Sequence, residues 1–457
     1  MNSAELDRAH VWHPFTQMRA WNDPARPPVV IVEGRGAILQ AEDGREFLDG
    51  NSSIWTNLHG HRQPRIDQAI REQLDRIAHS SFLGLTNDVA ARLAQKLVEA
   101  TGLPGHKVFF SDDGSTAMEA ALKMVYQARM QRGESRRTTF VSFASAYHGD
   151  TIGAMSAGHS AVFHAAYKPL LFPTREVMSP ACYRCPFNRA EPVRGADARL
   201  SRKCNWECAG QLTIALDELG EAASAVVIEP RVQGAAGMRM HPPGYLQKAA
   251  MACRERGVWL VLDEVMTGFG RTGKMFAFEH ENVTPDLIAL AKGLTGGYLP
   301  LAATLASKEI FDAFLGEHAE LKTFFHGHSY TGNALGGAAA LANLKLFETE
   351  KTLDRNAVLE QSLRKLSAKF WEHPRVGDVR QEGLICAVEL VRDFASREPF
   401  DLAEQVGHRV CEAARARGLL TRPVGDVLVL MPPYCTTAEQ LARMVEALWR
   451  GLNEVLP

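Results

Sequence analysis

The sequence predicts an α/β fold built on a largely parallel central sheet. Three observations point there. Helical and strand patterns alternate along most of the 457 residues. Runs such as "SAVVIEP" (224–230) and "VWLVLDE" (258–264) are apolar without alternation, as strands covered on both faces are. These runs end in ionisable residues, and α/β sheets gather ligands at the carboxyl ends of their strands.

Taken in order, "QPRIDQAIREQLDRIA" (63–78) and "DVAARLAQKLVEA" (88–100) carry apolar residues at helical spacing, the second with Thr86 or Asn87 placed as an N-cap. "KVFFSDDGSTAMEAALKMVYQARM" (107–130) reads as strand, glycine turn and helix. "TTFVSFASAYHGD" (138–150) is a strand ending in polar and aromatic residues, and residues 178–208 form a polar insertion containing Pro and Cys. Strands at 224–230 and 258–264 follow, then "DLIALAKGLTGG" (286–297), an apolar stretch ending at a lysine. After about residue 340 the texture changes. Helices at 356–371 and 437–454 flank "VGDVRQEGLICAVELV" and "VLVLMPP", which read as strands of a smaller α+β unit. The expected division is an N-terminal segment 1–60 contributing to the small domain and the site, a large domain 61–335, and a C-terminal small domain 336–457.

Bulk composition narrows the function. With 46% hydrophobic and 23% charged residues and a net charge of −2, the chain is an ordinary globular one with no basic block, so neither nucleic acid nor an anionic membrane is an expected partner. "MNSAELDRAHVW" lacks the layout of a secretory signal and no apolar run reaches membrane-spanning length, which points to the cytoplasm.

Four strand ends carry the chemistry. Lys292 follows "DLIALA" and precedes "GLTGG"; a desolvated lysine at a cleft can form a Schiff base, and glycines let a planar ligand approach the backbone. Asp263 ends a buried strand, where a carboxylate needs a cationic partner. A protonated pyridine nitrogen is such a partner, so a lysine for an aldehyde and an acid for a ring nitrogen together suggest pyridoxal 5'-phosphate (PLP). Gly114, Ser115 and Thr116 in "SDDGSTAMEAA" would open a helix whose N–H groups suit a phosphate. Tyr147 in "AYHGD", beside His148, could stack on the ring. Each alone has an ordinary explanation (a solvated lysine, a turn aspartate, a helix cap, a core tyrosine), but the set is specific.

The set, with "LDEVMTGFGRTG" spaced ahead of "AKGLTGGYLPLAA", resembles the class III aminotransferases, PLP enzymes of fold type I, over nearly the whole chain. The resemblance implies that Lys292 and Asp263 are catalytic. It also implies that "HGHSYTGNALGGAAALA" (326–342) reaches the cofactor phosphate of a partner subunit, with His328 and Ser329 as the cross-subunit contacts of an obligate homodimer. "HVWHPFTQM" (10–18), "SSIWTNLHGH" and "LLTRPVGDVLVLMPPY" resemble, more narrowly, the branch of that family that aminates 8-amino-7-oxononanoate. By that resemblance Phe15, Trp55, Tyr147, Gly327 and Arg422 line the substrate site, with Trp55 an apolar wall and Arg422 a clamp for the acceptor's carboxylate. Members using S-adenosylmethionine as donor carry tyrosines where Phe15 and Val429 stand, so the implied donor here is L-lysine, with S-adenosylmethionine as the alternative. An ω-amino acid or diamine aminotransferase of the same family is the competing activity. Arg271, after "GFG", is expected to hold a loop or an acid near the cleft, and Glu229 to sit behind the catalytic groups.

The insertion is outside that pattern. Cys182 and Cys185 form C-x₂-C, and Cys204 and Cys208 form C-x₃-C, a spacing that predicts a structural zinc site or, second, an iron–sulfur cluster.

Overall fold

The computed structural model describes residues 1–160 and 162–457. At its centre is a seven-stranded sheet in the spatial order 107–111, 302–306, 287–290, 259–263, 223–228, 139–143, 175–177. All of these strands run parallel except 302–306, which pairs antiparallel with both neighbours. The parallel core explains the unbroken apolar runs: every residue of Ala223–Ile228, Trp259–Asp263 and Leu287–Leu290 is buried. Side chains alternate between two layers. Leu260, Leu262, Ile288 and Leu290 join one core, while Trp259, Val261, Leu287 and Ala289 join the other.

The second layer is covered by the helix Gly114–Gln131, which presents Ala117, Ala120, Ala121 and Ala128 to the sheet. Small residues let the helix axis lie close, so its N-terminus arrives at the same sheet edge as the ends of the central strands. Asp113 caps it: its carboxylate accepts from the N–H of Thr116 at 2.9 Å, and the Thr116 hydroxyl answers to the N-cap N–H. Helix Asp88–Thr101 is capped by Asn87 and stopped by Gly102 in the left-handed region at φ 63°.

Both chain ends meet in smaller sheets. Strands Ile31–Arg35, Ile38–Ala41 and Glu46–Asp49 are joined by Leu419–Leu420, and an antiparallel sheet of Val376–Glu382, Ile385–Leu390 and Val427–Leu430 stands beside them. Helices Thr352–Ser367, Val406–Arg415 and Ala438–Val455 belong to this part of the chain. No helix is long and apolar enough to cross a membrane among the described residues.

Candidate active site

The two carboxylates at the end of strand Trp259–Asp263 point into opposite layers and meet different partners. Asp263 is buried, and its Oδ2 receives Nδ1 of the fully buried His148 at 2.7 Å, while its Oδ1 accepts from the N–H of Val265 at 3.0 Å. Burial alone would push the His148 imidazole down, but the hydrogen bond and charge of Asp263, with the charge of Glu229, hold it above its ordinary value. Asp263 is thus a buried carboxylate hydrogen-bonded to a buried imidazole whose proton affinity is raised. Glu264 faces the other layer, accepting from the Thr267 hydroxyl at 2.5 Å and the Phe278 N–H at 2.9 Å; burial with only neutral donors pushes its carboxyl up to about 7.

Lys292 follows the extended Ala291 and sits in the left-handed region at φ 44°. Burial pushes its amine below the ordinary lysine value, opposed by Asp263 and Glu229 and reinforced by Arg271. Its Nζ lies 4.7 Å from the centroid of the Trp55 ring. Trp55 itself ends four consecutive residues at positive φ: Ser52 (45°), Ser53 (48°), Ile54 (62°) and Trp55 (69°). Left-handed backbone costs roughly 1–2 kcal/mol per non-glycine residue, and such runs persist where surrounding contacts over-determine them. Asp49 supplies those contacts, accepting from the N–H and hydroxyl of Ser53 at 2.8 Å each.

Glu229 is buried on the Asp263 side. It accepts from the N–H groups of Tyr147 at 3.2 Å and Gly234 at 2.8 Å, fixing the loop that carries Tyr147 and His148. Burial pushes its carboxyl up to about 7. Tyr147 donates its hydroxyl to Asp150 at 2.7 Å and meets Phe163 edge to face at 6.0 Å; Phe163 meets Phe15 in the same way at 5.3 Å. Phe15 in turn gives its carbonyl to Arg422 Nη2 at 3.2 Å. Phe15, Tyr147 and Arg422, far apart in sequence, therefore stand along one aromatic wall. Val429 lies in the apolar cluster against which Trp55 packs.

Some expectations are refined. The hydroxyls of Ser115 and Thr116 are engaged, Ser115 with Thr151 at 2.9 Å and Thr116 in the helix cap, so what the helix end can offer an anion is its backbone: the N–H groups of Gly114 and Ser115 have no intrahelical acceptor. A Cβ on Gly114 would come within 2.6 Å of Val265, and one on Gly149 would collide with Ser115, so both glycines allow the three loops to close on this spot. Arg271, fully buried, holds no acid: its guanidinium donates to the carbonyls of Asn57 at 3.0 Å and Pro432 at 3.1 Å, tying the two ends of the chain to the loop after Asp263. His328 pairs with Asp112 at 2.7 Å, and Gly327 and Ser329 beside it are exposed. Sequence reasoning missed the His148–Asp263 pair, the amide clamp of Glu229 and the left-handed turn. Only the pair had a signal, a histidine one residue beyond the expected stacking tyrosine.

The structure lends the metal expectation no support. Among the described residues no three His, Cys, Asp or Glu side chains are grouped so as to hold a metal ion, and Cys182, Cys185, Cys204 and Cys208 are free thiols. Burial pushes the Cys182 thiol up to about 12 and the Cys208 thiol up to about 11. The insertion is held instead by arginines. Arg184 pairs with Glu389 at 2.7 Å, Arg199 pairs with Glu382 at 2.7 Å, and Arg194 donates to the carbonyls of Trp371, His373 and Pro374 at 3.0–3.1 Å.

A lysine of lowered proton affinity, a buried carboxylate hydrogen-bonded to an imidazole and a glycine-lined helix end fit a PLP molecule by the chemistry of their donors: an amine for its aldehyde, an acid for its ring nitrogen, N–H groups for its phosphate. The comparisons with known proteins agree. The model of the family "Aminotransferase class-III" matches residues 20–452. A protein of Geobacter sulfurreducens named adenosylmethionine-8-amino-7-oxononanoate aminotransferase is 47% identical over 99% of this chain and 97% of its own length. One of the same name from Nitratidesulfovibrio vulgaris is 49% identical over 96% of this chain and 79% of its own. The crystal structure of the Methanocaldococcus jannaschii protein of that name superposes with a TM-score of 0.90 at 40% identity, covering 99% of this chain and 98% of that one. An omega transaminase from Pseudomonas jessenii, solved in complex with PMP, superposes at 0.92 with 28% identity over 100% and 98% of the two chains. The chain belongs to the class III aminotransferases.

Proposed function

We propose that this chain uses PLP held at Lys292 to transfer an amino group to 8-amino-7-oxononanoate, the acceptor in the name its relatives share. The observation that carries the reading is Lys292: a lysine of lowered proton affinity facing an aromatic ring, under the influence of the buried Asp263 that His148 backs. Fold does not separate this activity from that of an omega transaminase, since the two kinds of solved structure superpose about equally well. The residues of the cleft carry the choice.

In this reading the bound cofactor supplies an electron sink for the pair left on carbon when a proton departs. The rest is done by the chain. Asp263, hydrogen-bonded to His148, would hold a proton on the ring nitrogen. The helix end at Gly114, Ser115 and Thr116 binds the phosphate, joined by His328 and Ser329 of a second copy in an obligate homodimer. Exposed apolar side chains beside that segment, Phe325 at 71% and Tyr330 at 61%, support a covered surface there. With PLP bound, the Nζ of Lys292 would move the proton between the donor carbon and the cofactor, as base and then acid. Trp55 packs the acceptor's apolar chain, and Arg422 pairs with its carboxylate beside Phe15. The sequence boundaries near residues 60 and 335 then separate a PLP-binding large domain from a small domain that both chain ends build. The eight cysteines are all free, which suits a cytoplasmic enzyme.

Phe15 and Val429 place no side-chain hydroxyl at either donor position, which supports L-lysine; the relatives' name supports S-adenosylmethionine. A matrix of donors against acceptors on purified enzyme decides both questions. Amination of 8-amino-7-oxononanoate with L-lysine, and loss of PLP absorbance on adding L-lysine alone, is the expected result. Rapid conversion by S-adenosylmethionine alone reverses the donor, and turnover confined to ω-amino acids and simple keto acids reverses the acceptor.

A further inference from the structure

Trp55 is held at both edges of its indole. On the pyrrole side its Nε1–H donates to Oδ1 of the buried Asn51 at 2.8 Å. On the benzene side it packs at Gly234 and Met266; a Cβ built on Gly234 would lie 3.4 Å from that ring. The backbone beneath is fixed independently. Asp49 grips Ser53, the Ser52 hydroxyl donates to the Met431 carbonyl at 2.6 Å, and Arg271 donates to the Trp55 carbonyl at 3.4 Å. Those contacts place the Cα of Trp55, but none orients the ring. With the benzene edge already walled, the hydrogen bond to Asn51 is the contact that selects the ring plane, and that plane faces Nζ of Lys292.

We propose that Asn51 is a positioning residue for the reaction, acting through Trp55 to keep the indole face over the Lys292 nitrogen. The inference rests on the reading that Lys292 carries the cofactor. An aromatic face favours a cationic nitrogen over a neutral one. The charged groups that act on the same nitrogen are Asp263 and Glu229, which favour its protonation, and Arg271, which opposes it; none of them is a hydrogen-bond partner of the Asn51 side chain. Asn51 therefore sets one contribution to the proton affinity of that nitrogen without being charged or in contact with it. Because the same ring is the apolar wall for the acceptor, its orientation also governs how the ketone sits.

The test compares wild-type holoenzyme with Asn51→Ala, Trp55→Leu and the double variant. Each is titrated by the pH at which the visible band of bound PLP changes by half, and the KM for the ketone is measured alongside. Trp55→Leu should lower the midpoint by about one pH unit, a tenfold change in proton affinity. Asn51→Ala should lower it by a large part of that and raise the ketone KM several-fold. The double variant should match Trp55→Leu, because Asn51 has nothing to act on once the indole is gone. A wild-type midpoint in Asn51→Ala, or two shifts that simply add, overturns the proposal; a residue that only supports the fold would lower the melting temperature and leave the midpoint in place. Should Asn51→Ala yield no folded protein, Trp55→Phe removes the same hydrogen bond from the other side, and a wild-type midpoint there is equally fatal. Borohydride treatment of the wild-type holoenzyme followed by peptide mapping tests the premise separately: a tether at any lysine other than Lys292 removes the premise rather than the role of Asn51.

Discussion

Asp263 and Glu264 are neighbours on one buried strand, and the chain treats them in opposite ways. Asp263 meets an imidazole at 2.7 Å; Glu264 meets a hydroxyl and an amide, and its carboxyl is pushed up to about 7. Both are buried, and both have every near polar contact of normal length, so burial and hydrogen bonding alone do not distinguish a functional acid from a structural one. The partner does. A carboxylate beside an imidazole of raised proton affinity has charge to offer an incoming ring, whereas one surrounded by neutral donors is simply expensive to ionise.

The largest effects should fall on the Asp263 side. Lys292→Ala should lower turnover by roughly 10⁴-fold or more, since both the attachment point and the moving base are lost. Steady-state kinetics at saturating donor and acceptor check this, and a variant near wild-type rates refutes the site. Asp263→Asn should cost about 10²–10³-fold while leaving measurable PLP binding, because an amide cannot stabilise a protonated ring nitrogen. His148→Phe should cost less, roughly tenfold, because the carboxylate loses one hydrogen-bond partner but is itself retained. That ordering sharpens the comparison: if His148→Phe were as damaging as Asp263→Asn, the imidazole would have to act on the reaction directly and not through the carboxylate.

Much of this was legible in the sequence, for a physical reason. Parallel strands covered on both faces leave uninterrupted apolar runs, so the strands ending near Glu229, Asp263 and Lys292 announce themselves, and ionisable residues at their ends stand out against that background. The antiparallel strand Ala302–Ala306 was less visible, since "LPLAA" carries neither length nor alternation. The turn at Ser52–Trp55 was invisible, because its four residues have side chains and no local preference for the left-handed region; it exists through Asp49, Arg271 and the carbonyl of Met431, a contact across 379 positions. The cysteine pairs promised more than the structure supports. Their spacing is that of a metal site, but no group that could hold an ion is found among the described residues, and Arg184, Arg194 and Arg199 fix the insertion.

The smallest effect should be on stability, on the Glu264 side. Unfolded, Glu264 titrates near 4.5; folded, it titrates near 7. A folded value raised above the unfolded one means that the native state binds the proton more tightly. The contribution of this group is therefore fully present below about pH 4.5, declines as pH rises towards 7, and is a fixed penalty beyond. Glu264→Gln keeps the shape and both hydrogen bonds, with the amide oxygen accepting from the Phe278 N–H and the amide nitrogen donating to the Thr267 oxygen. It removes the charge and with it the penalty. Melting curves of the two proteins should lie together near pH 4 and separate towards pH 8, the Gln variant being the more stable by about 3 kcal/mol, while turnover at pH 8 stays within about threefold of wild type. The same substitution at Asp263 should show no such gain and should lose activity. A Glu264→Gln variant that is destabilised at pH 8, or that loses activity as Asp263→Asn does, would mean that the second carboxylate is held as an anion, and that the two faces of the strand are not the opposites their partners make them.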